Sequence, residues 1–396
     1  MNSKNYNKNN EHIHIPSKKN IQLNFGSNYK NYKYNKISKF ICSFTLLIFL
    51  IILIIFIYLN ADKQIWIKTI LHNRPIQLKN NQYKFLTKLK TILDNNEILE
   101  NEMMNKHTTF KLGGPAKIFI IPNSINKIIK VIKLCKEYSI DYFILGNGSN
   151  LLVSDKGYNG LIINIHENNF SNLNVIKLDD SNYHVTVGGG MLMRNLAIKM
   201  CLLSLSGLED IIDIPGTIGG GIIMNASAGG KGLIFNSLLK VKVVTPEGNI
   251  EELKKSQCKL RYRGSFLKDR KYMVIEATFK MIKKDKFIIQ KTMTNHTSLR
   301  YSRQPMYFPS AGSFFIWNRS KFGSLYSKYK ENNLVGFKIG DAMIYTNNIA
   351  FFINLGNAKS SDVNKLALHV EKIIKAKYKI NIKREVVMLG LFSLNY

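Results

Sequence analysis

A chain of 396 residues, 45% hydrophobic and 21% charged, is long enough for two or three domains and has a globular composition, which excludes global disorder. The formal net charge of +31 comes mostly from lysine, since only 9 of the 57 basic residues are Arg. These lysines are spread through every segment among Asn and Ile. That fits a solvated surface better than a nucleic-acid site, which would gather Arg, aromatics and Lys on one element.

Residues 1–39 are rich in Asn, Lys and Tyr without periodicity and are expected to form a disordered basic tail. Phe40 to Leu59 then runs for 20 residues without a charge, enough at helical rise to cross a bilayer core of about 30 Å. A transmembrane or targeting helix is therefore expected over 40–59. Lysines stand on both sides of it, so charge does not orient it. Residues 60–107 follow as a linker and an N-terminal helix.

From about residue 84 the texture becomes that of a folded α/β chain. Ile125, Ile128, Ile129 and Ile132 fall at helical spacing behind Ser124, a candidate N-cap. A strand at Tyr142–Leu145 runs into Gly146-Asn147-Gly148-Ser149-Asn150. A second, Tyr183–Val187, meets Gly188-Gly189-Gly190 and precedes an apolar helix from about Arg194. Ile214-Pro215-Gly216-Thr217-Ile218-Gly219-Gly220-Gly221 is the third glycine cluster. Near the C-terminus Val363, Leu366, Val370, Ile373 and Ile374 share one helix face. That face needs a sheet beneath it, for which Met343–Leu355 and Val386–Leu391 can supply strands.

The glycine clusters carry the strongest signal for chemistry. Glycine allows positive φ and close backbone approach, so successive N–H groups can converge on a phosphate. None of the three reads G-x-G-x-x-G and no G-x-x-x-x-G-K-[ST] occurs, which excludes a Rossmann fingerprint and a P-loop. Each cluster alone is a tight turn. Together they favour a dinucleotide diphosphate held by backbone amides.

A second group spans Arg300-Tyr301-Ser302-Arg303-Gln304-Pro305 and Pro309-Ser310-Ala311-Gly312-Ser313-Phe314-Phe315. It reads either as a turn entering a strand or as a serine set against a flat ligand, with guanidinium groups nearby for phosphate or carboxylate. Ser313 has no His/Asp partner in a G-x-S-x-G setting, so a hydrolase nucleophile is disfavoured. Arg261 and Arg263 fall on one side of a possible strand, as a surface pair or an anion clamp. Glu385 is flanked by Lys383 and Arg384, where a salt bridge is expected. The eight His form no ligand cluster and no metal is expected. Cys42, Cys135, Cys201 and Cys258 lack C-x-x-C spacing, so a reducing compartment is the simpler reading.

These motifs, in this order, resemble the UDP-N-acetylenolpyruvoylglucosamine reductase family from roughly 84 to 393. The matching stretches are Lys106–Ala116, Leu145–Ser154, Ile214–Ala226, Tyr262-Arg263-Gly264-Ser265, Gln304–Phe315 and Arg384–Gly390. The spacing from Gln304 to Ser313 is similar to the shorter, second type of the family. The resemblance implies an α+β protein built from α/β subdomains. An FAD-binding domain of the PCMH/vanillyl-alcohol-oxidase kind would cover 108–281, and a smaller α+β substrate-binding domain 282–396.

It further implies hydride transfer from NADPH through FAD to UDP-N-acetylglucosamine enolpyruvate in peptidoglycan precursor synthesis. Arg263, Ser313 and Glu385 would be catalytic. Gly146, Asn147, Gly148, Ser149, Asn150 and Leu151 would hold the FAD diphosphate with Pro215, Gly216, Thr217, Gly219 and Gly220. Tyr262, Arg300, Arg303 and Gln304 would bind substrate. A monomer without nucleic-acid partners is expected, its catalytic part in the cytoplasm or an organelle matrix and tethered to, or targeted through, a membrane by 40–59. The chain departs from the family at Ile316-Trp317-Asn318, where Lys-Asn-Pro is usual, at Ile349, where His is usual, and at Ser227–Gly232. These departures bear on affinity for NADPH and substrate. The alternative is a tethered flavoprotein of the same fold with another substrate, or with only a binding or scaffold role.

Overall fold

The protein is described by a computed structural model over residues 81–165, 169–226 and 236–392. The expected tail at 1–39 and membrane helix at 40–59 lie outside the described residues. Among those described, no helix is long and apolar enough to cross a membrane.

The chain enters as helix α1 (81–92), strand β1 (Ile98–Met103) and strand β2 (Pro115–Ile120). Helix α2 (Ile125–Glu137) begins where the Ser124 hydroxyl accepts from Lys127 N. It carries the chain over to β3 (Tyr142–Leu145), β4 (Leu151–Val153) and β5 (Tyr158–Asn164). The first sheet has the order β1-β2-β5-β3, with β2–β5 and β3–β5 parallel. Parallel strands need a long crossover, and α2 supplies it. Residues 98–103 thus form an edge strand of this sheet, upstream of the boundary expected at 108. Burying Phe85, Leu89, Ile128, Val131 and Ile132 against Ile118, Ile120, Leu161 and Ile163 seals one side of the sheet.

A second sheet is antiparallel. It comprises β6 (Leu173–Lys177), β7 (Asn182–Gly188), β8 (Leu205–Ser206), β9 (Leu238–Val244), β10 (Ile250–Lys254) and the long β11 (Met273–Lys283) in the order β10-β9-β11-β7-β6, with β8 beside β11. Helices α3 (Met193–Leu202) and α4 (Ile218–Met224) cover it, and the short α5 (Phe266–Asp269) precedes β11. Met193, Leu196, Met200, Ile218 and Ile222 pack there against Val185, Val187, Val241 and Phe279.

Helix α6 (Lys286–Arg303) leads out of the second sheet. The Asp285 carboxylate caps it by accepting from Phe287 and Ile288 N. The third sheet has the order β12-β16-β15-β14, from β12 (Ser310–Ser313), β14 (Lys338–Ile339), β15 (Ala342–Ile344) and β16 (Phe351–Asn354). Between β12 and β14 lie β13 (Phe315–Ile316), α7 (Arg319–Phe322) and α8 (Leu325–Glu331). Helix α9 (Ser360–Tyr378) lays Val363, Leu366, Val370 and Ile374 on this sheet, the face expected from their spacing.

The last strands depart from expectation. β17 (Lys383–Arg384) pairs with β13, and β18 (Val387–Leu389) runs parallel to β4 instead of joining the sheet under α9. The C-terminus is thereby built into the N-terminal half of the fold. Cys135, Cys201 and Cys258 are free and buried.

Candidate active site

Every residue expected at the site lines one cavity of about 1100 Å³ between the glycine loop that follows β3, the glycine loop that opens α4, the end of α6 and the third sheet. That is at the upper end of the range of about 300 to 1,000 Å³ usual for small-molecule pockets, large enough for an extended ligand.

The two glycine loops lie close together, the backbone of each against side chains. A Cβ on Gly146 would stand 2.6 Å from Thr217 Oγ1, and one on Gly216 would stand 2.8 Å from Met193 Cε. Gly148, at φ 60°, presses against the chain at His107, where a Cβ would meet the carbonyl oxygen at 2.1 Å. The Asn147 side chain donates to Pro215 O at 3.0 Å and ties one loop to the other. The loops differ in what they offer. Gly216 N donates to Ile214 O, Ile218 N to Met191 O, and Gly219 N to Gly189 O, so these amides are committed within the chain. Asn147, Gly148 and Ser149 N have no backbone acceptor among the described residues and are the amides available to an anion. A cradle that only glycine permits, floored by available amides, fits the diphosphate of FAD.

Across the cavity the catalytic candidates are stitched to this loop. Glu385 N donates to Phe314 O at 2.8 Å, Asn150 Nδ2 donates to Glu385 O at 3.1 Å, and Val387 N donates to Asn150 O at 3.0 Å. One point thus fixes the first glycine loop, the end of β12 and the C-terminal strands together. Gly312 takes φ 78° beside a register shift in the β12–β16 pairing, which re-aims Ser313 into the cavity. Beneath it Phe314 stacks on Phe352 at 4.3 Å. Among the described residues the Ser313 hydroxyl has no hydrogen-bond partner, leaving its proton available to a ligand.

Arg263 does not lie on a strand beside Arg261. Arg261 and Gly264 exchange both backbone hydrogen bonds, closing a two-residue turn around Tyr262 and Arg263. Arg261 turns outward to Asp269 at 2.6 Å, so the expected pair is split. Arg263 adopts φ 56°, a conformation that disfavours a branched L-residue and is retained where surroundings impose it. Its guanidinium lies 5.3 Å from the Tyr262 ring, and its Nε is 2.7 Å from Glu385 Oε1, with the two side chains 14% and 11% exposed. Burial pushes the Glu385 carboxyl above its ordinary value, against the pull of Arg263 and, less strongly, Lys268.

Arg300, on α6, donates from Nη1 to Asp213 O at 2.6 Å; burial lowers its pKa against the opposing charge of Asp213. Arg303, Gln304 and Tyr262 also line the cavity, with Arg303 and Tyr262 exposed. The Asn348 side chain donates to Arg303 O at 2.8 Å and holds that helix end. Sequence reasoning missed Asn348, Asp213, Lys268 and Lys271, all of which line the cavity. Lys268 follows Arg263 by five positions in the same turn-and-helix unit, a signal that was present. Asp213 directly precedes Ile214-Pro215 but carries no motif of its own. Among the described residues no group of three His, Cys, Asp or Glu side chains is placed to hold a metal ion.

Residues 116–254 match the family described as FAD binding domain, and residues 304–389 match the UDP-N-acetylenolpyruvoylglucosamine reductase C-terminal domain. The fold and the site together define an FAD-dependent oxidoreductase. A UDP-N-acetylenolpyruvoylglucosamine reductase from Clostridium novyi (strain NT) is 37% identical over 308 residues, covering 78% of this chain and 97% of the relative. One from Lachnoclostridium phytofermentans is 35% identical over 305 residues, covering 77% and 97%. The crystal structure of the reductase from Thermus caldophilus superposes with a TM-score of 0.60 at 26% identity, covering 74% of this chain and 98% of that one. The chain belongs to the UDP-N-acetylenolpyruvoylglucosamine reductase family.

Proposed function

We propose that the chain reduces UDP-N-acetylglucosamine enolpyruvate to UDP-N-acetylmuramate for peptidoglycan synthesis, with NADPH as hydride donor. The observation that carries the reading is the junction at Asn150, Glu385 and Phe314, which sets a cation, a carboxyl and a hydroxyl against the glycine cradle. Bound FAD supplies the relay that accepts a hydride from NADPH and delivers it to the substrate.

The remaining chemistry belongs to the side chains. When C3 of the enolpyruvyl group gains a hydride, negative charge develops at C2 and on the adjoining carboxylate. Arg263 is a fixed cation for that charge, already oriented by its turn and by Glu385. Glu385, its pKa raised by burial, retains a proton to higher pH than an exposed carboxyl; it can share that proton with the enolate-like carboxylate oxygen and takes it back when C2 is protonated, so the net addition is one hydride and one proton. The Ser313 hydroxyl gives a proton to C2, completing addition across the double bond, and recovers one from solvent. A serine suffices because the acceptor is strongly basic. Lys268, Lys271 and Arg303 add positive charge around the cavity for the phosphates of NADPH and the UDP-sugar. A Ser313→Ala variant should still be reduced by NADPH, while reoxidation by the enolpyruvyl substrate slows by about 10²–10⁴-fold. Unchanged reoxidation would remove Ser313 from the reaction.

The 20-residue uncharged run at 40–59 supports a tether, with the monomeric catalytic part on the cytosolic or organelle-matrix side where NADPH and UDP-sugars are supplied. In intact membranes that part should resist protease added from the opposite side. Digestion from that side would reverse the orientation.

A further inference from the structure

Asp213 lines the cavity, yet no step of the reaction uses it. It stands at φ 61°, in left-handed backbone that glycine adopts freely and a residue with a Cβ adopts at a cost. Its side chain is only 3% exposed, and a carboxylate so placed is costly unless paired. Both conditions are met by donors from two helices. Arg194 Nη1, on α3, reaches Oδ1 at 2.6 Å; the Thr297 hydroxyl, on α6, reaches Oδ2; and Arg300 Nη1, also on α6, reaches the main-chain oxygen at 2.6 Å.

The position of this knot gives it a consequence. Asp213 leads directly into Ile214–Thr217, the loop whose Pro215 O is gripped by Asn147 and whose Gly216 O accepts from Met193 N. Ile214 N and Gly216 N of that loop are bonded within the chain, and through Pro215 O the loop is held against Asn147 and the open amides of Asn147–Ser149. Helix α6 continues in the other direction to Arg303 and its C-cap Gln304, which also line the cavity.

We infer that Asp213 is a positioning residue for the flavin site: its buried carboxylate fastens the second glycine loop to α3 and α6, holding the diphosphate cradle and the cavity end of α6 in one register. The inference rests on the reading of the glycine loops as the FAD cradle. A glycine at 213 would satisfy the backbone better than aspartate does, so the carboxylate is retained for its tethers.

The test uses the full chain stripped of flavin, titrated with FAD by fluorescence, alongside the melting temperature of each apo-protein. Asp213→Gly relieves the backbone and removes the side-chain tethers. Asp213→Asn keeps size and conformation but loses the charge facing Arg194, and Thr297→Val removes one donor. Asp213→Gly should raise the Kd for FAD about tenfold or more, with the other two variants raising it less, while the apo-proteins melt near the wild-type temperature. Asp213→Gly binding FAD within about twofold of wild type would overturn the inference. So would lowered apo melting with unchanged Kd, the signature of a merely structural residue. Should Asp213→Gly fail to fold, the milder variants decide, and wild-type Kd in both would overturn it. A wild-type chain that takes up no FAD would instead remove the cradle reading itself, and the inference with it.

Discussion

Glu385 shows how one residue acquires its chemistry from its surroundings. Its neighbours Lys383 and Arg384 suggested a salt bridge, but Arg384 turns to Glu371 at 2.6 Å and the partner of Glu385 is Arg263, 122 positions earlier in the chain. The distance makes that pairing invisible to local pattern, although both residues were named by the family's motifs. The pKa direction has a consequence for stability. Burial raises the folded-state value above the unfolded one, so the folded chain holds more protons in the window that opens near pH 4.5 and closes above the raised value. Stability from this group is therefore lost as pH rises through that window. A Glu385→Gln variant lacks the titration. Its melting temperature relative to wild type should climb from pH 4.5 upward and then level off, as followed by circular dichroism. A difference independent of pH would place Glu385 in an ordinary solvated setting. Ile316 marks the opposite case, a change whose neighbourhood is readable: it stands half-buried on β13 opposite Lys383, so a cation remains directly across the strand pair from the position where the family usually carries one.

At the scale of elements, the helices were the most legible part of the sequence. The isoleucine spacing behind Ser124 and the apolar face of α9 each depend on residues a few positions apart, and both faces turn to the core as expected, with Ile128 and Ile132 of the first and Val363, Leu366, Val370 and Ile374 of the second buried. Ile125, Ile129 and Ile373 lie partly buried at the margins of these faces. Strand partners were harder, because strand composition marks a strand without naming its neighbour. Val387–Leu389 is equally apolar whether it joins the third sheet or β4, and long-range topology decides for β4. The Arg261–Arg263 stretch was misread for the reason that period 2 is also compatible with a turn; the positive φ of Arg263 distinguishes them. Helix α9 also carries a cap that no local motif announces. Asp155, between β4 and β5, accepts from Ser360 N at 2.7 Å and Ser361 N at 2.9 Å, in the first turn of α9. Carboxylates so placed offset unsatisfied amides and the helix dipole. Replacing Asp155 with Ala should cost about 1 kcal/mol in urea unfolding. No loss would mean that water satisfies the two amides equally well.

Across the whole molecule, the two matched family domains are joined at the cavity that holds the proposed catalytic groups. Asn150 and Glu385 bond to each other's main chains, β18 pairs with β4, and the Ser154 hydroxyl donates to Leu391 O at 2.6 Å. The glycine loop in the first domain and the Ser313 and Glu385 side chains proposed to act in the second are consequently held in a fixed relation before any ligand arrives, which is what electrostatic preorganisation requires. The scattered lysine charge contributes at longer range by drawing two polyanionic ligands to one cavity. The ordered motifs made legible the two matched domains and the residues that the fold gathers around one cavity. The Asp213 knot and the Asn150–Glu385 junction were not, since both arise from segments that meet only on folding. In the proposed reaction this cavity passes a hydride from NADPH to an enolpyruvyl sugar nucleotide. The most direct measurement is anaerobic flavin absorbance of the purified full-length chain, with NADPH added first and UDP-N-acetylglucosamine enolpyruvate second. The account predicts bleaching by NADPH and stoichiometric recovery of the oxidised spectrum on substrate addition. Bleaching that persists after the substrate is added would contradict it.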